Sequence, residues 1–250
     1  ILFDDDNTLQ NFDPIMHPLP DGLSATNTLR VGYSIYDVSG VLSENWSGSP
    51  GTDNYRLHAY DNPFLRSFVD TNPRPAAPDT ISGTVRVASL NVMNYFNGDG
   101  LGGGFPTSRG ANSLTEFNRQ HTKIVTALLS LDADIIGLVE TENDGYGTTS
   151  ALQSLVDGLN AAAPGGTTYA FVNPGFSLGT DEVKVALLYR TETINLAGSA
   201  ATTADAPFNP YRYPLAQTFE ELATGARFTI VVNHFKSKGC DGAAGADADQ

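Results

Sequence analysis

One cysteine, Cys240, occurs in 250 residues, so no disulfide can close within this sequence. Positive charge is scarce too: 14 Lys and Arg stand against 28 Asp and Glu, a net charge of −14. The deficit is shared, with 11 acidic and 4 basic side chains in residues 1–82 and 17 and 10 in residues 83–250. Neither part has the basic cradle on which non-specific nucleic-acid binding usually relies. A nucleic-acid substrate would therefore require bound metal or a salt-rich medium to offset repulsion. The same acidity favours solubility in salt. No apolar run approaches the length of a membrane span. Ile1 is followed by no charged-then-apolar leader, which reads as a processed or incomplete start.

What is present is glycine and proline, 25 and 14 residues, a composition of strands and turns rather than of a helical bundle. The length accommodates one large domain, or one domain and a smaller module. Residues 1–60 hold short alternating runs, Leu29-Arg-Val-Gly, Ser39-Gly-Val-Leu-Ser-Glu and Tyr55-Arg-Leu-His-Ala-Tyr, expected as strands. Asp4-Asp-Asp lacks the spaced ligands and terminal Glu of an EF-hand, and His17 and His58 have no evident metal partners. Residues 61–82 contain Asn72-Pro-Arg-Pro-Ala-Ala-Pro, whose prolines remove backbone donors and stiffen the path, as in a linker.

From Thr84 the pattern alternates strand and helix. Thr84 to Phe96 reads as a core strand ending in amides and aromatics. The glycine loop at 97–106 lacks the Gly-Lys-Ser/Thr of a phosphate loop. Ser113-Leu-Thr-Glu116 is a capping box before Phe117, His121, Ile124, Val125 and Leu128 at helical spacing, where His121 reads as a packing residue. Asp134-Ile-Ile-Gly-Leu-Val has the two-sided apolar pattern of a buried strand and ends in Glu140-Thr-Glu-Asn-Asp144. A helix is expected over Ser150 to Ala162, then strands at Tyr169–Asn173, Lys184–Arg190, Pro214–Phe219 and Arg227–Phe235. This order predicts an α/β (α+β) domain of two packed sheets with helices outside.

Four strand ends offer polar residues: Asn91, Glu140, Arg212, and His234 with Asn233. A carboxylate with an amide oxygen suits a hard divalent cation. A guanidinium holds phosphate bidentately, and a histidine moves a proton near neutrality. The blander readings are a solvated acidic loop, a turn-capping Asn91, an Arg212 stacked between Tyr211 and Tyr213, and a structural His234. Together the set predicts metal-assisted phosphoester hydrolysis.

Ser89-Leu-Asn91-Val-Met-Asn, Asp134-Ile-Ile-Gly-Leu-Val-Glu140 and Val231-Val-Asn-His234-Phe resemble, in order, the motifs of the endonuclease/exonuclease/phosphatase family with the pancreatic-deoxyribonuclease-like fold. Arg109-Gly-Ala, Leu187-Leu-Tyr-Arg, Arg212-Tyr-Pro-Leu-Ala-Gln-Thr-Phe and Asn233-His-Phe-Lys-Ser-Lys-Gly-Cys240 are similar to the large secreted bacterial nucleases of the ExeM/NucH type. The resemblance implies a four-layer α/β sandwich over residues 83–250, preceded by the tail of an oligonucleotide/oligosaccharide-binding-like (OB-like) β module in residues 1–60. It places Glu140 and Asn91 on Mg2+ (Mn2+ or Ca2+ as alternatives), Arg212 and Asn233 on phosphate, and His234 as general acid or base. Asp181, or else Glu182, would orient His234, and Lys236 and Lys238 either add local positive charge or belong to an ordinary exposed loop. DNA, and RNA as a further candidate, would be the substrate of a secreted, extracellular enzyme. Phosphomonoesterase, phospholipid phosphodiesterase and a non-catalytic surface-assembly module are the alternatives. The family's Gly-Asp-x-Asn and Ser-Asp-His motifs do not occur before Gln250, so the expectation is a truncated chain holding half a site, with the partner of Cys240 beyond residue 250.

Overall fold

A computed structural model describes residues 2–4, 27–46, 53–59, 68–73, 75, 79, 82–205, 208 and 212–235. The chain divides into two units, Ile1–Ile81 and Ser82–Gln250. In the first, β1 (Leu2–Asp4), β2 (Gly40–Trp46) and β3 (Asp53–Ala59) form a sheet with β3 in the middle, parallel to β1 and antiparallel to β2. His58 Nε2 lies 2.8 Å from Ser43 Oγ, so this histidine is held by its neighbour strand. The strand expected at Leu29–Gly32 is instead a turn, closed by Tyr33 N–H on Arg30 C=O and carrying Gly32 at φ 93°. Part of the stretch read as a linker is tied down as well. Asn72 Nδ2 donates to Val31 C=O at 2.7 Å, Arg30 Nη1 donates to Asn72 C=O at 3.0 Å, and Ser34 bridges Val69. His17, Lys236, Lys238 and Cys240 with its expected disulfide lie outside the described residues.

The second unit is built on β4 (Val87–Tyr95), α1 (Leu114–Leu131), β5 (Ile135–Glu142), α2 (Ala151–Ala162), β6 (Tyr169–Phe171), β7 (Val183–Arg190), β8 (Ile194–Leu196), β9 (Leu215–Glu221) and β10 (Arg227–Val232). One sheet has the order β4-β5-β7-β6, with β4 and β5 parallel across α1 and the other pairs antiparallel. The second is an antiparallel β10-β9-β8.

The two-sided apolar pattern of β5 and β7 has a direct cause. Ile136, Leu138, Ala186 and Leu188 pack under Leu128, Leu152, Leu155 and Leu159 of the helices. Ile135, Val185 and Leu187 point the other way, onto Leu215, Phe219 and Val232 of the second sheet. The result is an α+β arrangement of helices, sheet and sheet. Among the described residues these are three layers of the four expected. On β10 the outward Arg227, Thr229 and Val231 are exposed, alternating with inward Phe228, Ile230 and Val232.

The ends of α1 show how the sequence fixes it. Ser113 Oγ accepts from Glu116 N–H, and Glu116 Oε2 accepts from Asn112 N–H at 2.7 Å, a reciprocal cap. Asp132 ends the helix in the left-handed conformation at φ 48° and ties Arg86 and Arg190 together. His121 packs as expected: its Nδ1 lies 2.6 Å from Tyr95 Oη, and the ring sits against Gly158 of α2.

Candidate functional site

The strand read as ending in a site is irregular at that end. β4 and β5 stay in register to Asn91 and Val139 and then slip, so that Tyr95 meets Thr141. The β5–β7 pairing slips between Leu138 and Thr141. Three non-glycine residues here adopt left-handed backbone: Met93 at φ 57°, Asn94 at φ 52° and Glu140 at φ 68°. Such conformations cost about 1–3 kcal/mol each and persist where the surroundings hold them. Asn91 Oδ1 accepts from Met93 N–H at 2.7 Å, and Glu140 Oε2 accepts from Asn94 N–H at 3.2 Å. The amide and the carboxylate thus grip one short turn from its two ends. The bulge takes Glu140 out of the strand's alternation: Val139 still packs in the core between the sheets, while Glu140 faces His234.

His234 is delivered by β10. A Cβ on Gly137 would lie 2.9 Å from Val232 Cγ2, so glycine at this position of β5 lets the second sheet approach closely. Two residues beyond Val232, His234 Nε2 lies 3.7 Å from Glu140 Oε1. Arg212 Nη1 lies 2.9 Å from the same Nε2 and 3.3 Å from Nδ1. A guanidinium only donates, so Nη1 can bond at most the one ring nitrogen that carries a lone pair, and the tautomer decides which. Asn233 lines, with Asn91, an adjoining cavity of about 530 Å³ along β4 and β10.

Asp181 occupies a different place from the one expected. Its Oδ2 accepts from Arg212 Nε at 2.9 Å, and its Oδ1 accepts from Arg109 Nη1 at 2.9 Å and from Val183 N–H. Both oxygens are used, and Asp181 reaches His234 only through Arg212. Glu182 pairs with Arg109 Nε at 2.7 Å. Among the described residues the carboxylate beside His234 is that of Glu140.

Electrostatics follow this geometry. Burial lowers the His234 pKa, the Arg212 charge lowers it further, and Glu140 and Asp181 offset this only in part, so the ring stays below the usual histidine value. For Asp181 burial raises the pKa, yet the Arg212 bond, the Val183 N–H and the Arg212 and Arg109 charges outweigh it and hold the carboxyl below its ordinary value. Behind the site, burial and the Asp144 charge push Glu142 up to about 7 against the Asn97 N–H. Lys184 is fully buried, with Nζ on Gly145 C=O at 2.6 Å and on Asp144 Oδ1 at 3.3 Å. Burial lowers its pKa, an effect the Asp144 charge resists. It thereby anchors the loop that leaves β5. The sequence signal for Lys184 was a single cation inside the apolar run Val183-Lys-Val-Ala-Leu-Leu. For Arg109 nothing local marked a role.

Asn91 and Glu140 offer one amide oxygen and one carboxylate, hard donors of the kind that hold a divalent cation together with water and substrate oxygens. No three His, Cys, Asp or Glu side chains converge among the described residues. These two donors would leave most of a divalent cation's coordination positions to water and substrate oxygens.

No family model and no curated protein matches the chain. Solved structures do. Two of its structural neighbours are endonuclease/exonuclease/phosphatase proteins. The human Nocturnin catalytic domain with bound sulfate is 20% identical with a TM-score of 0.40, over 62% of this chain and 50% of that one. The Bacteroides vulgatus family member is 18% identical with a TM-score of 0.38, over 59% and 51%, and that from Bacteroides thetaiotaomicron 18% with 0.39, over 62% and 52%. The chain spans about half the length of these neighbours.

Proposed function

We propose that this chain carries part of the active site of a secreted, divalent-metal-dependent nuclease that hydrolyses phosphodiester bonds of DNA with little sequence preference, RNA being a further candidate substrate. The observation that carries the reading is the convergence of Arg212, His234 and Glu140 on one point, with Glu140 held there in left-handed backbone. Arg212 donates to a non-bridging phosphate oxygen and holds the phosphorus beside the imidazole. With Arg212 Nη1 turned from the ring to the phosphate, the imidazole lone pair of His234 takes a proton from the water whose oxygen bonds to phosphorus. The phosphorus–oxygen bond to the leaving alcohol breaks, and that oxygen takes up a proton from solvent. Glu140 and Asn91 would hold the divalent cation, magnesium foremost with manganese or calcium as alternatives, which supplies charge stabilisation at the phosphoryl oxygens. The N-terminal unit belongs, in this reading, to an OB-like module.

The test, on the whole protein that carries this chain, is a substrate panel under magnesium: supercoiled plasmid, single-stranded RNA, a phosphomonoester and phospholipid vesicles. Nicking and degradation of plasmid is the expected result. Turnover of the monoester or the lipid alone would transfer the site to a phosphatase or a phospholipid phosphodiesterase. DNA binding without turnover of any substrate would favour a non-catalytic binding module.

A further inference from the structure

Arg109 has no part in the mechanism above, yet it is joined to it by one carboxylate. Asp181, with a side chain only 7% exposed, accepts from Arg212 on one oxygen and from Arg109 on the other, both at 2.9 Å. Arg109 comes from the loop before α1, remote in sequence from Arg212, and Glu182 fixes its Nε at 2.7 Å. Two guanidiniums are thus oriented by one buried anion, separated by no more than two hydrogen bonds and the width of a carboxylate. Their exposure differs: the Arg212 side chain is 16% exposed and that of Arg109 is 42%. Among the described residues Nη2 of neither makes a hydrogen bond. Pairing with Asp181 and Glu182 also removes the conformational freedom that a long basic side chain loses on binding phosphate. Arg212 takes the scissile phosphate in the proposed reaction, and the more open guanidinium of Arg109 stands beside it across the Asp181 carboxylate.

We infer that Arg109 binds the phosphate neighbouring the scissile one, so that the site selects a strand with at least two consecutive phosphates over an isolated diester. The inference rests on the proposed phosphodiesterase reading and names its substrate class. Such a contact adds affinity only when the second phosphate exists, and it adds about one unit to the salt dependence of binding.

Fluorescein-labelled dithymidine monophosphate and trithymidine diphosphate, titrated into the wild-type protein under chelation and followed by anisotropy, test this. The wild type is expected to bind the longer probe about tenfold more tightly. Arg109→Gln should abolish that increment, and Arg109→Lys should restore part of it by returning the charge. An increment retained in Arg109→Gln, or absent in the wild type, would overturn the inference. Equal weakening for both probes would do so too, because it reports a structural role through Asp181. Hydrolysis of the same two probes under magnesium separates the two claims: an intact, Arg109-dependent increment without turnover would sink the catalytic reading and leave the second-phosphate contact standing.

Discussion

Substituting alanine for Gly137 perturbs a close contact between β5 and the second sheet, which carries His234 toward Glu140. The new Cβ would lie 2.9 Å from Val232 Cγ2, against about 3.5–4.0 Å for carbon atoms at optimal separation. Val232 is buried, β-branched and stiff at χ1, so the rotamer change that relieves an overlap elsewhere is costly here. Relief must come instead from a shift of β10 away from β5, by roughly 1 Å or less. Overpacking of this kind costs about 1–3 kcal/mol, and for a unit of this size each kcal/mol lowers Tm by about 2–4 °C. Because His234 follows Val232 by two residues, the same shift widens its distance to Glu140. A displacement near 1 Å can lower a rate on the order of 100-fold. Thermal melts and plasmid nicking on Gly137→Ala, Val232→Ala and the double variant read both effects. The double variant should be less destabilised than the sum of the single changes by about 1 kcal/mol, since the smaller side chain makes room for the new methyl group. A Gly137→Ala protein that melts at or above the wild-type temperature with full activity would refute the claim that this glycine seats the histidine.

Gly158→Ala tests the helical layer in the same sense: alanine alone should favour α2 by about 1 kcal/mol, but its Cβ would overlap the His121 imidazole. The expected outcome is a lower Tm, reversed by adding His121→Ala; a higher Tm in the single variant would contradict the packing described. Asp181→Asn tests the ion-pair cluster through pH. The folded-state pKa of Asp181 lies below its ordinary value, which is about 3.9 for an unfolded aspartate. Its stabilisation is therefore fully present above that pH and is lost as pH falls through the lower folded value. Urea midpoints at pH 7, 4 and 3 should fall less steeply for Asp181→Asn than for the wild type; identical slopes would remove Asp181 from the acid response.

The outline of this fold was legible wherever one residue type has one physical consequence. The capping box at Ser113 starts α1, and the two-sided apolar runs of β5 and β7 sit between two cores because each face has a layer to pack against. Asn91, Glu140, Arg212 and His234 stood out as polar groups at the ends of apolar strands, and the last three meet in one cluster. The bulges at Met93–Asn94 and Glu140 left no mark, since neither Met nor Glu favours left-handed backbone and the strain is imposed by tertiary contacts. The resemblance put Asp181 or Glu182 beside His234, whereas Asp181 pairs with Arg212 and Arg109. A carboxylate one residue before Glu182 and three before Lys184 gives no sign of which cations will arrive from the loop at Arg109 and from Arg212, distant in sequence. β8, three residues long, is too short for a period to show.

The most direct test of the site is the rate of plasmid cleavage by the wild type, Glu140→Gln and His234→Ala under magnesium, each repeated after chelation, with Tm measured to show that the variants fold. The account predicts a loss of about 10²–10⁴-fold in kcat/KM for His234→Ala, and a loss in Glu140→Gln that raised magnesium partly recovers. Chelation should abolish the wild-type activity. Folded variants that cleave at the wild-type rate would contradict the assignment of this cluster as the reacting centre.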